Sequence, residues 1–156
     1  MKISTKGKYG LRAMIDLAQY SEQEAVSISS IAQRQKISES YLEQLVANLK
    51  KAGLVISIRG AAGGYRLARP ASDISVGDVL RALEGDVRAV ICTAQTEEGC
   101  EGEELCVTKY VWQRINESIE KTVDEMMIDQ LVAESRKAQE KAKNHDVDYS
   151  RNSCSG

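Results

Sequence analysis

Three of the four cysteines, Cys92, Cys100 and Cys106, fall within the stretch "CTAQTEEGCEGEELC", spaced Cys-x7-Cys-x5-Cys. Thiolates are soft ligands for zinc or for iron–sulfur clusters, and they are also nucleophiles. These spacings exceed the two to four residues that separate paired zinc-finger cysteines, so the loop can wrap an inorganic cluster as readily as a single ion. Five glutamates share the stretch: Glu97, Glu98, Glu101, Glu103 and Glu104. Beside them, bare thiolates are repelled and their pKa values rise unless a cation sits among them. A metal centre removes that conflict. A catalytic cysteine does not, because acidic surroundings oppose thiolate formation and the only histidine, His145, lies in the polar end of the chain. The basic half has neither a histidine nor a paired-carboxylate constellation, so the expected function is not enzymatic.

The elements that must position this loop begin with a charge asymmetry. Residues 1–70 carry 11 Lys and Arg against 5 Asp and Glu, a surplus of six positive charges, whereas the rest of the chain has eight more acids than bases. A polyanion is therefore expected to meet the front half. Leu11, Met14, Ile15, Leu17 and Ala18 recur at helical spacing, and Ser21 closes that first helix. A short second helix is predicted over Ile31–Lys36, capped by Ser29 or Ser30. A third starts at Ser38, carries a stripe of Tyr41, Leu42, Leu45, Val46 and Leu49, and stops at Gly53. "LVISIRG", "AAGG" and "YRL" then make a β-hairpin.

Three helices followed by a hairpin is the order of a winged helix-turn-helix domain, mainly α with a small β component. In such a domain the third helix enters the DNA major groove and the hairpin lies along the backbone or in the minor groove. Base-reading candidates are Ser38, Ser40, Tyr41, Glu43 and Gln44, near the N-terminus of that helix. In the wing, Gly60 permits close backbone approach and Arg59 is placed to enter the minor groove. Lys2, Lys6, Lys8, Arg12, Lys50 and Lys51 are candidate contacts to the DNA backbone. "RGAAGGY" is no nucleotide loop, since it lacks a Gly-Lys-Ser/Thr ending and precedes a strand signal.

Pro70 closes this unit at residues 1–70. Residues 71–91 form a connecting helix and linker, in which Ser75 and Asp78 stand as a capping box and Gly85 ends the helix. Residues 92–106 are the cysteine loop. From Val107 the helical pattern persists, predicting one long helix over 107–143 with more apolar surface than a small domain covers, hence a homodimer. Residues 144–156 are polar, aperiodic and expected to be disordered. With neither a membrane span nor a secretory signal, the expected location is the cytoplasm, where clustered cysteines stay reduced.

"KGKYGLRAMIDLA", "SYLEQL", "RGAAGGY" and the triple cysteine before a long helix together resemble the IscR-type iron–sulfur regulators, relatives of NsrR and CymR, over roughly residues 1–135. The resemblance implies a homodimeric transcription regulator bound to a double-stranded operator, without a small-molecule substrate. It also implies that Cys92, Cys100 and Cys106 bind a cluster, of the 2Fe–2S type or alternatively 4Fe–4S, and that the regulated genes serve iron–sulfur biogenesis. Glu43 matches the position that tunes which sites IscR accepts. Two features depart from the pattern: Lys109 stands where IscR has a histidine, and the first cysteine gap is two residues longer. The fourth ligand stays open among Glu43, a loop glutamate, His145, Cys154 and a residue of the other subunit. A nitric-oxide- or metabolite-sensing repressor of the same fold is the alternative, and zinc is the alternative metal.

Overall fold

The computed structural model describes residues 2–91, 101, 102 and 104–153, with side chains described as far as residue 145. Among the described residues six helices and one hairpin follow in the order α1 (Thr5–Tyr20), α2 (Ile28–Gln35), α3 (Glu39–Lys51), β1 (Val55–Ile58), β2 (Gly64–Leu67), α4 (Val76–Glu84), α5 (Thr108–Glu125) and α6 (Ile128–Ser153). A short 3-10 turn, Ala71–Asp73, precedes α4. The mainly α winged helix-turn-helix class is thus realised. Among the described residues no helix is long and apolar enough to cross a membrane.

Capping fixes where the helices begin. The Ser27 hydroxyl accepts from the Ser30 N–H, so α2 starts at Ile28, earlier than Ser29 or Ser30 as cap would allow. Ser38 accepts from the Tyr41 N–H and opens α3 as expected. Ser75 and Asp78 form the reciprocal capping box on α4. The turn between α2 and α3 passes through Lys36 in the left-handed conformation, at φ 54°.

β1 and β2 pair antiparallel, from Val55 opposite Leu67 to Ile58 opposite Gly64. Tyr65 also exchanges two backbone hydrogen bonds with Val26, of 2.9 and 2.8 Å, which ties the wing to the segment before α2. Gly64 permits this contact: a Cβ there would stand 2.5 Å from the Val26 carbonyl oxygen.

Met14, Ile31, Leu42, Leu45, Leu49 and Val55 fill the centre of the core. That core does not end at Pro70. Ile74, Val79 and Leu83 around α4, and Ile128 and Val132 from α6, belong to the same cluster. A smaller cluster of Val76, Leu80 and Val87 takes up Val123 of α5.

The single helix expected over 107–143 is two helices. Met126 is extended, at φ −86° and ψ 109°. Its carbonyl accepts the Val76 N–H at 2.8 Å, and the Ile128 N–H donates to the Ile74 carbonyl at 2.9 Å. The two segments thereby form a short bridge, Ser75 opposite Met127. The physical reason is tertiary: the break turns buried Ile128 and Val132 into the main core, which a continuous helix would carry past. Neither glycine nor proline marks the spot. At its far end α6 runs on to Ser153, so residues 144–153, expected to be disordered, are helical.

Candidate nucleic-acid interface and thiol site

The two faces of α3 divide cleanly. Leu42, Leu45, Val46 and Leu49 are buried, whereas Ser40, Glu43 and Gln44 are exposed, and the open face continues to Ala47 and Asn48. Ser38 is exposed while it caps, so its hydroxyl hydrogen stays available. Tyr41 is half-buried, its ring edge-on to Tyr9 of α1 at 6.2 Å and 89°. The helix therefore offers hydroxyl, carboxylate and amide groups on one side and is fixed by packing on the other.

The wing presents Arg59, exposed at the tip beside Gly60, whose φ of 110° lets the chain turn there. Lys50 Nζ donates to Ser57 Oγ at 3.0 Å and so links the end of α3 to the wing, while Lys51 is exposed. Lys2, Lys6 and Lys8 are exposed around the start of α1. Arg12 is engaged within the protein: its Nε donates to Gln35 Oε1 at 3.2 Å and its Nη2 to the Gln35 carbonyl at 2.8 Å.

Three polar anchors escaped the sequence reading. Asp16, whose side chain is fully buried, receives three hydrogen bonds from Arg34, the shortest 2.7 Å, and one from Gln35 Nε2 at 2.8 Å. The bonded carboxylate holds the Arg34 guanidinium above its usual pKa. This pair locks α1 to α2, next to the turn that sets α3. Glu84 Oε1 accepts from the Ser4 N–H, the Ser4 hydroxyl and the Gly7 N–H at 2.9, 2.6 and 3.1 Å. It satisfies otherwise unpaired donors at the N-terminus of α1 and holds the lysine-bearing segment against the end of α4. Asn116 of α5, 5% exposed, accepts from the Ala89 and Val90 N–H groups and donates to the Val90 carbonyl at 2.8 Å. A sequence signal existed for two of them: Asp16 and Asn116 are polar residues at helical spacing within apolar stripes.

Of the three cysteines, Cys106 is described; Cys92 and Cys100 lie outside the described residues, as do Glu97, Glu98, Glu103 and Cys154. Cys106 precedes α5, with its Sγ 3.1 Å from Thr108 Oγ1. Against the rise expected beside the loop glutamates, the Thr108 hydroxyl, then the Lys109 N–H, hold its thiol below the usual pKa, because these local hydrogen bonds favour the anionic sulfur. Orphan N–H groups at a helix start favour an anionic sulfur, which is the form that ligates metal. On donor chemistry Cys106 fits a metal or cluster ligand.

An exposed polar helix face, a basic wing tip and a lysine-rich first helix define a winged helix-turn-helix DNA-binding regulator. Residues 3–134 match the model of the Rrf2 family, described as iron-dependent transcriptional regulators. The transcriptional regulator IscR of Serratia proteamaculans is 42% identical over 132 residues, covering 85% of this chain and 79% of that protein. The solved structure of T. potens IscR superposes with a TM-score of 0.71 at 46% identity, covering 89% of this chain and 91% of that one. CymR of B. subtilis, described as its global cysteine regulator, has a TM-score of 0.71 at 41% identity, covering 85% of this chain and 97% of that one. The chain belongs to the Rrf2 family, and within it is a transcription regulator of the IscR type. These relatives are named as regulators, not enzymes.

Proposed function

We propose that this protein is a homodimeric cytoplasmic transcription regulator whose choice of operator is controlled by an iron–sulfur cluster, of the 2Fe–2S type, on Cys92, Cys100 and Cys106. Ser38, Ser40, Glu43 and Gln44 read base edges, Tyr41 sets the depth of α3, and Arg59 with Gly60 follows the adjacent minor groove. Lys2, Lys6, Lys8, Lys50 and Lys51 meet phosphates, with Arg12 at the edge of that surface. The regulated genes are those of cluster biogenesis. When bound, the cluster supplies iron that responds to oxidant and to cluster supply.

The observation that carries this reading is the setting of Cys106, a thiol hydrogen-bonded to Thr108 at the start of α5, where local donors favour its anionic form. The same helix begins with an exposed apolar stripe of Val107, Val111 and Ile115, flanked by Tyr110. Its opposite side, through Asn116 and Val123, faces α4 and the linker to Cys92. Such an open stripe supports a second copy of the chain as its cover. One helix thus joins the thiol, the dimer surface and, through α4 and Glu84, the start of α1.

The test is anaerobic purification with iron, sulfide and zinc analysis, beside a Cys92→Ala control. Iron and sulfide near two each per subunit, lost in the variant, is the expected result. Operator binding by the apo and loaded forms is then compared. Equal affinities for every operator tested, or a metal-free protein that cannot be reconstituted, refutes cluster control while leaving the DNA-binding assignment intact. Separately, affinity for any operator should fall by orders of magnitude from about 50 to 200 mM salt.

A further inference from the structure

A cavity of about 440 Å³ opens between α1, the last turn of α2 and α6, away from both the exposed face of α3 and Cys106. This volume is within the range of roughly 300 to 1,000 Å³ that small-molecule sites occupy. Arg12 and Arg34 line it near the end of α2, and Gln19, Ser135 and Gln139 line it further along, with Ile15 and Leu131 as apolar floor.

Its charges do not balance. Two guanidinium groups meet one carboxylate, Asp16, which already accepts four hydrogen bonds and is spent on Arg34 and Gln35. Arg12 contacts only an amide oxygen, a carbonyl and the Tyr9 ring among the described residues, so its charge is uncompensated. The site is net positive and can complement one negative charge. A guanidinium with a free edge favours a carboxylate or a phosphate. An ammonium group would find no carboxylate left for it.

The other end has different chemistry. Gln19 Oε1 accepts from Ser135 Oγ at 2.9 Å, Gln19 Nε2 donates to Gln139 Oε1 at 2.9 Å, and Gln139 Nε2 reaches the Tyr20 hydroxyl at 3.3 Å. These are neutral groups that both donate and accept, suited to hydroxyls. Arg12 and Gln19 lie two helical turns apart, roughly 10 Å at 1.5 Å per residue. We infer that this cavity binds a small polyhydroxylated anion about that long, a sugar acid or a sugar phosphate, with its anionic group on Arg12 and its hydroxyls on Gln19, Ser135 and Gln139. Such a ligand competes with the Gln35 carbonyl for Arg12, one residue before the turn into α3, and so gives the DNA-reading helix a second input independent of the cysteines.

The test is calorimetric titration of the full chain with glucose 6-phosphate, gluconate, inorganic phosphate and glucose. Saturable binding of glucose 6-phosphate or gluconate is expected, at least tenfold tighter than of inorganic phosphate, with no binding of glucose; which of the two anions wins identifies the anionic group. Arg12→Gln should weaken it tenfold or more, as should either cavity-filling change, Ser135→Phe or Gln139→Trp, in whichever variant keeps the wild-type melting curve. Lys121→Gln, outside both the cavity and the DNA-binding surface, should leave it unchanged. No saturable binding, equal affinity for inorganic phosphate, or binding that survives Arg12→Gln and the filled cavity overturns the inference. Loss of DNA affinity in Arg12→Gln without any anion binding also overturns it, since the arginine then serves DNA alone.

Discussion

The Asp16–Arg34 pair should respond unequally to removal of its two partners, because the two side chains differ in burial. Asp16 has no exposed side-chain surface, whereas Arg34 retains 32%. Arg34→Ala leaves a buried carboxylate with Gln35 as its remaining donor, a loss on the order of 3–5 kcal/mol. Asp16→Ala leaves a guanidinium that water can reach, so the loss is smaller, about 2 kcal/mol, mostly from the broken charged hydrogen bonds. The double variant removes the stranded charge and should be more stable than Arg34→Ala by about 1–2 kcal/mol. Urea unfolding followed by helical circular dichroism at fixed protein concentration measures all three, with an unchanged slope as the control. In melting temperature, the Arg34→Ala loss is on the order of 10 °C for a chain this long. Equal costs for the two single variants, or a double variant less stable than Arg34→Ala, would refute burial as the source of the asymmetry.

Other consequences are equally direct. Asn116→Ala strips partners from the Ala89 and Val90 backbone, so amide exchange there should accelerate, by about 1–3 kcal/mol of lost protection, while the core of α3 stays protected. Ser38→Ala removes the cap of α3 and should cost about 1 kcal/mol in urea unfolding, with Ser38→Gly costing less. Val111→Asp puts a charge into the exposed stripe of α5 and should turn the proposed dimer into a folded monomer in sedimentation; an unchanged sedimentation coefficient would remove that stripe from the proposed interface. Arg81 holds the Asp124 carboxyl below its ordinary value of 3.8 through two hydrogen bonds. A depressed carboxylate stabilises the fold above that value and loses the contribution as pH falls through the folded-state pKa. Asp124→Asn should therefore lower stability at pH 7 and flatten the decline below about pH 4.

Much of the fold was legible because its signals are local. The stripe of Leu42, Leu45, Val46 and Leu49, the Ser38 and Ser75 caps, the Gly53 stop and the β-branched hairpin with its glycine turn each depend on residues within a turn or two of one another. Charge asymmetry and the polar face of α3 pointed to DNA for the same reason: they are properties of one half of the chain or one helix.

What the sequence left undetermined depends on residues far apart along the chain. Asp16 meets Arg34 across 18 residues, Asn116 meets Val90 across 26 and Glu84 meets Ser4 across 80, and nothing local marks these pairings. The break at Met126 has no glycine or proline because its cause is the 74–76 segment accepting and donating backbone bonds in place of the helix. The cavity on Arg12 exists only because α6 turns back over α1 at that break. Helical periodicity and caps, short-range in origin, determined the elements and the exposed polar face of α3. The tertiary structure alone decided how the cysteine-bearing end, α4 and the first helix are joined, since that is set by burial and hydrogen bonding between distant segments.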